Sequence, residues 1–562
     1  MREHAPTIFY HPEGYSTRGN KLMGRNAAGE SFLNGFLKYA NPSKRLWVQV
    51  HDQSDATPFV ELAKKLGCRQ PISLVDYSSI RSNQKPGLLY YPGPDICDQA
   101  RYRSFHGDAL WSICGITHTT SSKRAMDSVS NWLTEPVQSW DAVICTSQAV
   151  KSNVEFILEQ REEELRHRLG ATKAIAPALP VIPLGIDTNR FSFSEQEKVS
   201  ARQILNIPGD SVAVLYAGRL SFHAKANPIQ MYSCLEKAAS ITDEKIYLIE
   251  SGWYANDSIE SAFEEAASRL CPSITRIFVD GRNNTSNMAA WAAADIFCSL
   301  SDNIQETFGI VPLEAMAAGI PQIVSDWDGY KDTVRDGIDG FRIPTINPRP
   351  GLGGDLAYRH ATDLDSYDMY CGNNSNLVSV NEASLTNSFI ELIKSPELRM
   401  KLGQEARANA KSNYDWQAII PKYEDLWSEM SETRKANTNN KTATLVKEKA
   451  KKVWPARLDP THSFSQYPSK PLDENTVLTI WTDDTDLAFE KYKTHRQLRI
   501  MNYTPHILPS EQEVKQVISN AARSYPRPGI AADLLFKIPE GRKPFVLRSL
   551  VWLCKIGILE FR

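Results

Sequence analysis

The sequence has few cysteines, and their arrangement points away from cysteine-based scaffolds. The 562-residue chain contains nine of them, with no Cys-x-x-Cys pair and no cluster spaced for a zinc ion. Cys114, Cys145 and Cys298 lie within apolar runs, where a reduced thiol behaves as a small buried apolar group. We therefore expect buried, reduced thiols and no disulfide framework.

Long apolar runs and a strong net charge are also missing. No stretch approaches the ~20 apolar residues of a membrane-spanning helix, and no apolar secretory segment follows Met1–His4. The net charge of −2 gives no general attraction to nucleic acid or to anionic membranes. These absences favour a cytoplasmic globular protein of two or three domains, with no nucleic-acid partner and at most peripheral membrane contact.

The stretch Gln305–Gly319 carries the clearest chemical signal. It predicts a loop followed by a short helix over Val311–Ala318, which Gly319 ends in the left-handed conformation. Phe308 and Gly309 then offer backbone N–H groups at the start of the helix. These groups and the helix dipole together attract an anion.

Two carboxylates flank this predicted anion site. Glu306 precedes the helix, and Glu314 lies about one turn inside it. This pattern suits a ligand with phosphate in its middle and hydroxyl-rich groups at both ends, such as a nucleotide sugar.

Apolar strand-like runs alternate with helical stretches along most of the chain. The clearest runs are at 87–91, 112–117, 142–146, 212–216, 245–250, 276–279, 295–299 and 321–325. This alternation predicts doubly wound parallel sheets with ligand groups at the carboxyl ends of the strands. His118 follows one such strand, although a lone histidine there is more often structural than functional.

Two other features could hold a phosphate-bearing ligand. The small residues of Gly24–Gly29 precede a helix predicted over 30–39, as in a phosphate-binding loop, although a simple turn is the more common explanation. Arg219 and Lys225 lie six residues apart across a strand-to-helix turn and could grip one polyanion. A solvated loop with surface charges explains those two cations equally well.

The later part of the chain is less regular. Residues 344–378, rich in Pro, Gly, Asn and Asp, predict a long excursion with little regular structure. Helices are predicted at 384–394, 396–413 and 416–430, followed by a polar, Lys-rich linker. A separate small unit then ends in an apolar helix over Pro544–Cys554 and a short strand.

Taken together, these features resemble the retaining glycosyltransferases of family four, the glycosyl transferases group 1. The resemblance covers roughly residues 5–430. Its motifs are Glu306 and Glu314 with seven residues between them, Gly218-Arg219-Leu220 with Lys225, and the segments 141–147, 181–191, 334–341 and 414–416.

The resemblance implies the GT-B fold, an α/β architecture of two facing Rossmann-like, doubly wound domains. We expect an acceptor-side domain at 1–200 and a nucleotide-sugar donor domain at 201–415. A helix at 416–430 would cross back to the first domain. A linker at 431–460 would lead to a small α/β or winged-helix-like domain at 461–562.

The resemblance also implies residue roles. Arg219 and Lys225 would neutralise the donor diphosphate and stabilise it as leaving group. Glu306 would bind hydroxyls of the donor sugar, Glu314 would hold the ribose, and His118 would contact the sugar near the reacting carbon. The remaining residues expected to line the donor site are Gly24, Gly29, Gly218, Phe308, Gly309 and Ile310.

The implied reaction moves a hexosyl group from a nucleotide-diphosphate sugar to an acceptor hydroxyl, with retention and without metal or cofactor. Asp-x-Asp triplets occur at 326–328, 363–365 and 484–486, but the resemblance gives none of them a metal role. Neither glutamate is evidently placed as a nucleophile. We therefore expect front-face attack, with the leaving phosphate accepting the proton.

The sequence departs from the family pattern at two places. Ala27 and Ala28 stand where the N-terminal loop often has a glycine pair, which leaves open which backbone groups approach the diphosphate. Trp327-Asp328-Gly329 replaces another glycine pair and could alter sugar or acceptor contacts.

Other interpretations stay open at this stage. A nucleotide-sugar epimerase of GT-B fold would need acid–base carboxylates over the sugar ring and no acceptor. A binding or regulatory protein would act through the C-terminal unit, although its last helix is more apolar than a DNA-reading helix. The Lys447–Lys452 cluster fits a solvated linker better than a lipid contact. The donor base and sugar are open, and so is the acceptor, which could be a lipid-linked sugar, a polysaccharide or a small glycoside.

Overall fold

The computed structural model describes residues 6–15, 24–40, 45–439 and 453–562, which divide into two compact units. Unit 1 is Met1–Lys452 and unit 2 is Val453–Arg562. Unit 1 contains two lobes, each built on its own sheet, and unit 2 has a separate apolar core. No helix within the described ranges combines the length and the apolar character needed to cross a bilayer.

The first lobe is a parallel sheet with helices on both faces. Within the described residues its six strands follow the order β3-β2-β1-β4-β5-β6, which is that of a doubly wound fold. The strands are β1 Thr7–Tyr10, β2 Leu46–Val50, β3 Ile72–Val75, β4 Leu88–Tyr90, β5 Ser112–Ile116 and β6 Ala142–Ile144. The helices are α1 Pro12–Tyr15, α2 Gly24–Tyr39, α3 Ala56–Lys65, α4 Cys97–Ser104, α5 Lys123–Asn131 and α6 Gln148–Leu169.

The second lobe repeats this topology. Its described strands follow the order β12-β11-β10-β7-β8-β9, again all parallel. They are β7 Val212–Ala217, β8 Ile246–Gly252, β9 Thr275–Asp280, β10 Ile296–Ser299, β11 Gln322–Ser325 and β12 Gly340–Ile343. The flanking helices are α7 Glu195–Ile204, α8 Ile229–Thr242, α9 Asp257–Leu270, α10 Asn284–Ala293, α11 Ile310–Ala318 and α12 Tyr330–Thr333.

The prediction of little regular structure at 344–378 was wrong. This excursion contains two helices, α13 Gly354–Ala361 and α14 Tyr367–Ser375. Its first strand, β13 Thr345–Ile346, pairs antiparallel with β14 Ser379–Val380, which directly follows the excursion. Ser366 caps α14 by accepting a hydrogen bond from the Met369 amide. The many turn-forming residues predicted loops, but local capping and packing stabilise helices there.

The predicted glycine-containing loop at Gly24–Gly29 is instead the first part of α2, which begins six residues earlier than expected. The Asn26 side-chain amide donates to the Glu13 carbonyl at 2.5 Å, tying this end of α2 to α1. A Cβ added at Gly29 would lie 2.0 Å from the Gly14 carbonyl oxygen. Glycine at 29 therefore allows the close packing of α2 against α1.

Three helices complete unit 1, and the last of them returns to the first lobe. They are α15 Glu382–Lys394, α16 Pro396–Asn409 and α17 Trp416–Asn439. Tyr423 of α17 packs against Phe32 of α2, and both Tyr423 and Trp427 pack against Tyr90 of β4. The helix continues nine residues beyond the predicted end at 430, so the start of the predicted linker is helical, and Lys447–Lys452 lies outside the described residues.

Unit 2 combines a small antiparallel sheet with helices. Its described strands, in the order β16-β15-β17, are β15 Val477–Ile480, β16 Gly529–Ile530 and β17 Leu559–Phe561. Its helices are α18 Pro460–Ser463, α19 Thr485–Gln497, α20 Glu511–Ala522, α21 Ala531–Leu534 and α22 Lys543–Lys555. The predicted terminal helix and strand are present as α22 and β17, separated by Gly557 at φ +66°.

Candidate functional site

The start of α11 has the geometry that the sequence predicts. Gly309 precedes the helix at φ 79°, ψ 97°, and Gly319 ends it at φ 73°. A Cβ at position 309 would lie 2.1 Å from the ring of Tyr330, so this backbone approach requires glycine. No described side chain caps the amides of the first turn, which leaves the Ile310 end of the helix suited to an anion.

The two predicted cations lie beside this helix. The Lys225 ammonium forms an ion pair with the Glu306 carboxylate. Arg219 donates to the Ala224 carbonyl at 3.1 Å and to the Gln305 side-chain oxygen at 3.4 Å. The loop between β7 and α8 therefore meets the residues just before α11, and the positive groups converge on one place.

Gly218 opens the loop that carries these cations, at φ +142°. A Cβ at the adjacent Gly252 would lie 1.9 Å from the Gly218 carbonyl oxygen. The Tyr216 hydroxyl donates to the Arg219 carbonyl at 3.2 Å, and this hydrogen bond stabilises the same turn. This turn places Arg219 at the carboxyl end of β7, where doubly wound sheets bind ligands.

Glu314 is a partly buried carboxyl one turn inside α11. Burial raises its pKa to about 7, and the nearby charges of Arg190 and Lys225 partly oppose that rise. No group among the described residues hydrogen-bonds to its carboxylate. A ligand hydroxyl could therefore bind it without displacing a protein partner.

His118 lies in the first lobe, two residues beyond β5, with its Nε2 atom 3.2 Å from the Pro92 carbonyl oxygen. The residues after it contact the second lobe through Tyr367 of α14. The Tyr367 hydroxyl lies 3.0 Å from Thr119 Oγ1 and 2.9 Å from Ser121 Oγ. Gln305 lies close enough to Tyr367 to oppose the rise in the pKa of its hydroxyl that burial causes. A single tyrosine thus links the His118 loop to the stretch that leads into α11.

Ser147 makes a second contact between the lobes. Its hydroxyl lies 2.8 Å from the Thr307 carbonyl oxygen and 3.1 Å from Asp328 Oδ1. Ser147 also caps α6, and the neighbouring Gln148 amide donates to Asp332 at 2.7 Å. The start of α6 is therefore fixed against the Glu306–Gly309 loop.

Sequence reasoning did not assign roles to Tyr367, Ser147 or Asp328. Asp328 adopts φ 43°, in the left-handed region, and burial beside Glu306 raises its pKa to about 8. The sequence did contain one indication for Asp328, because Trp327-Asp328-Gly329 replaces a glycine pair of the family pattern. Nothing in the sequence around Tyr367 indicated that it reaches the other lobe.

The contacts do not bring every predicted residue to this place. Phe308 is buried behind the α11 start, against the backbone of Gly329. Gly24 is the first residue of α2, and Gly29 of the same helix packs against the backbone of α1. No described contact connects either glycine to Arg219 or to α11. Among the described residues, no group of three or more His, Cys, Asp or Glu side chains is arranged to hold a metal ion.

Comparison with known proteins identifies relatives of the second lobe and of the fold. Residues 197–349 match the family model described as glycosyl transferases group 1. An uncharacterized glycosyltransferase of Methanocaldococcus jannaschii is 24% identical over 295 residues, covering 51% of this chain and 67% of that protein. A D-inositol 3-phosphate glycosyltransferase of Corynebacterium aurimucosum is 25% identical over 236 residues, covering 42% and 55%.

Solved structures share the two-lobed architecture. Anabaena HepE in complex with UDP superposes with a TM-score of 0.50 at 16% identity, covering 76% of this chain and 100% of that one. The chain spans about half to two thirds of the length of the curated relatives it matches. Residues 197–349 of the second lobe are thus similar to the glycosyl transferases group 1, and the two doubly wound lobes of unit 1 have the GT-B fold.

Proposed function

We propose that this protein transfers a hexosyl group from a nucleotide-diphosphate sugar to an acceptor hydroxyl, with retention of anomeric configuration. The observation that carries the proposal is the convergence of Arg219, Lys225 and the uncapped start of α11. Two cations and a helix N-terminus directed at one place form a site for a diphosphate.

In this proposal the diphosphate lies between the cations and the amides of Gly309 and Ile310. Lys225 is neutralised by Glu306 in the structure, and a phosphate oxygen could replace that carboxylate. Glu306 would then be available to accept hydrogen bonds from hydroxyls of the donor sugar. The same exchange explains why a cation and a carboxylate are paired beside the start of α11.

Glu314 fits the ribose end of the donor. Its carboxylate has no hydrogen-bond partner among the described residues. The positive charge of Lys225 is close enough to lower the pKa of this carboxyl. A carboxylate accepts two vicinal hydroxyls well, since it presents two oxygens and no donor. Binding of the ribose would therefore stabilise the ionised form of Glu314.

The proposed transfer breaks the bond between the anomeric carbon and the diphosphate oxygen. The acceptor oxygen bonds to that carbon from the same face, and its proton passes to the leaving phosphate. Arg219, Lys225 and the α11 amides stabilise the developing negative charge, so we propose that no divalent metal is required. His118, on the opposite lobe, would contact the sugar near the reacting carbon.

Relatives guide the choice of substrates to test. One solved structure of the same fold holds UDP, and two curated relatives are named for D-inositol 3-phosphate and for phosphatidyl-myo-inositol. We therefore include UDP-, GDP- and ADP-sugars as donors. Polyol phosphates, inositol lipids and simple glycosides are the acceptors. The cytoplasmic location stays a prediction.

The first experiment is a thermal-shift screen against these nucleotides, followed by transfer assays with the stabilising donor. A ligand at 100 times its Kd stabilises the folded protein by ~2.7 kcal/mol, so the preferred base is identifiable. The double variant Glu314→Ala, Arg219→Ala should lose the shift and at least about 100-fold in kcat/KM. Arg282→Ala, an exposed arginine paired with Asp280, is the matched control. Near-normal turnover by the double variant would contradict the site.

A further inference from the structure

Residues 491–510 of unit 2, which run from the second half of α19 to the residue before α20, have an unusual composition. They contain four Lys or Arg residues and no Asp or Glu. The chain as a whole is close to neutral, so this local excess of positive charge is a property of the segment.

Large apolar side chains are exposed in the same segment. Ile500 and Tyr503 are each 77% exposed, Leu498 is 47% exposed and Ile507 is 45% exposed. Met501 packs on the core of unit 2, so the chain is anchored between these side chains. Four exposed apolar residues within ten positions form a patch rather than isolated surface residues.

Two arginines lie among these apolar residues without a counter-charge. Neither Arg496 nor Arg499 has an ion-pair partner within the described ranges, and Arg496 instead donates to the Asn502 side chain at 2.6 Å. Of the two lysines, Lys493 pairs with Glu490, whereas Lys491 donates to the Gly557 carbonyl and has no ion-pair partner in the described part of the chain. The uncompensated charge of the two arginines lies beside the exposed apolar side chains.

We propose that this 496–507 surface, made of Arg496, Leu498, Arg499, Ile500, Tyr503 and Ile507, docks on an anionic lipid bilayer. Apolar side chains enter the boundary between headgroups and acyl chains, while arginines bind lipid phosphates. Tyrosine suits that boundary because its ring is apolar and its hydroxyl stays hydrated. The inference concerns unit 2 and does not depend on the proposed transfer reaction.

Charge distinguishes this surface from the exposed apolar position at Phe156. Phe156 of α6 is 58% exposed, but Glu155 and Glu159 flank it, so an anionic surface would repel it. The 496–507 surface combines exposure with an absence of acidic residues. A second copy of the chain or a protein partner could cover an apolar patch, but only an anionic partner accounts for both features.

The test is co-sedimentation of the full chain with vesicles of phosphatidylcholine alone or mixed with phosphatidylglycerol. Binding should require phosphatidylglycerol and weaken as salt increases. The variant Ile500→Asp, Tyr503→Asp should bind at least about tenfold less, and Arg496→Gln, Arg499→Gln should lose most of the salt-sensitive part. Phe156→Asp is the matched control and should bind like the parent protein.

The substituted side chains are exposed, so the variants should fold, and circular dichroism with the thermal midpoint checks this. Absence of vesicle binding by the parent protein would overturn the inference. Equal binding by the parent and the Ile500→Asp, Tyr503→Asp variant would also overturn it. A concentration-dependent dimer that this variant dissociates, without vesicle binding, would assign the surface to a second copy of the chain instead.

Discussion

At the scale of single residues, three carboxyls of the second lobe share one property, which is a pKa raised by burial. Burial raises the pKa of Asp302 and Glu314 to about 7 and that of Asp328 to about 8. Asp302 retains one buried oxygen without a partner in the described part of the chain. Such groups reduce stability when ionised, and they favour ligands that supply hydrogen-bond donors.

We predict that Glu314→Gln flattens the pH dependence of stability. The ordinary pKa of this carboxyl is 4.5, and its value in the folded protein is about 7. The folded state therefore binds more protons between these values, and the free energy of unfolding falls as pH rises through them. The variant should lose this slope and gain on the order of 1 kcal/mol at about pH 8.

Denaturant unfolding at about pH 5 and about pH 8 measures this effect. Glu264→Gln, at an exposed position of α9, is the control and should keep the parent slope. An unchanged slope in Glu314→Gln would show that Glu314 is not desolvated. The same variant should bind the nucleotide diphosphate less tightly, because a neutral amide accepts fewer hydrogen bonds than a carboxylate.

Gly309 gives a prediction about the backbone at the start of α11. Gly309→Ala must adopt φ near 79° and place its Cβ 2.1 Å from the Tyr330 ring. Gly337→Ala has only the backbone strain of a positive φ, +69°, because no atom lies within 4 Å of the added Cβ. We expect destabilisation of about 1 kcal/mol at 337 and about 2–4 kcal/mol at 309. Equal losses in urea unfolding would show that the Tyr330 contact yields freely.

Sequence reasoning succeeded for elements where several local signals agree. The helix of α11 has a favourable composition, a glycine before it and a left-handed glycine after it, and its prediction is confirmed. The fold class is also confirmed, because alternating apolar runs specify parallel sheets in both lobes. The roles of His118 and the glutamates stay predictions.

Prediction from the sequence was wrong where tertiary contacts override local composition. Gly24–Gly29 looks like a loop but is helical, because the packing of Gly29 against Gly14 compensates for its low helix propensity. The helices of the 344–378 excursion were missed among turn-forming residues. The link from Tyr367 to Thr119 spans 248 positions, and no pattern in a single sequence indicates such a contact.

At the scale of elements, Tyr367 anchors α13 and α14 to the first lobe. Its hydroxyl interacts with Thr119 and Ser121, whereas the nearby Lys123–Asp363 ion pair is largely exposed. Exposed ion pairs contribute ~0–1 kcal/mol, so the tyrosine should dominate. We predict that Tyr367→Phe accelerates hydrogen exchange in α13 and α14 by about tenfold, which corresponds to ~1.4 kcal/mol.

Hydrogen exchange followed by mass spectrometry resolves this segment from its neighbours. Asp363→Asn is the matched control, and its exchange in α13 and α14 should stay within about twofold of the parent. If Asp363→Asn has the larger effect, the ion pair and not Tyr367 secures the excursion. If Tyr367→Phe changes transfer but not exchange, the hydroxyl acts on the substrate directly.

At the scale of unit 1, the crossing between the lobes is fixed by Trp416. Its Nε1 donates to Ser31 of α2 at 2.8 Å, and its backbone amide donates to Ile186 at 3.1 Å. A Cβ at Gly35 or Gly185 would lie 2.3 or 2.7 Å from the indole, so both backbones lie directly against it. One side chain therefore joins α2, the interlobe segment and the start of α17.

We predict that Trp416→Ala destabilises unit 1 as a whole by about 3–5 kcal/mol, the usual cost of removing a buried tryptophan. Trp416 is only 2% exposed, whereas Trp481 of unit 2 is 43% exposed, so Trp481→Ala should cost less than about 1 kcal/mol. Hydrogen exchange under native conditions separates two outcomes. Faster exchange in both β-sheets of unit 1 would show that the crossing couples the lobes, and a change confined to the first sheet would show that Trp416 serves that lobe alone. We expect the first outcome, because α16 packs against α11 and a helical turn at Ala410–Tyr414 connects it to α17.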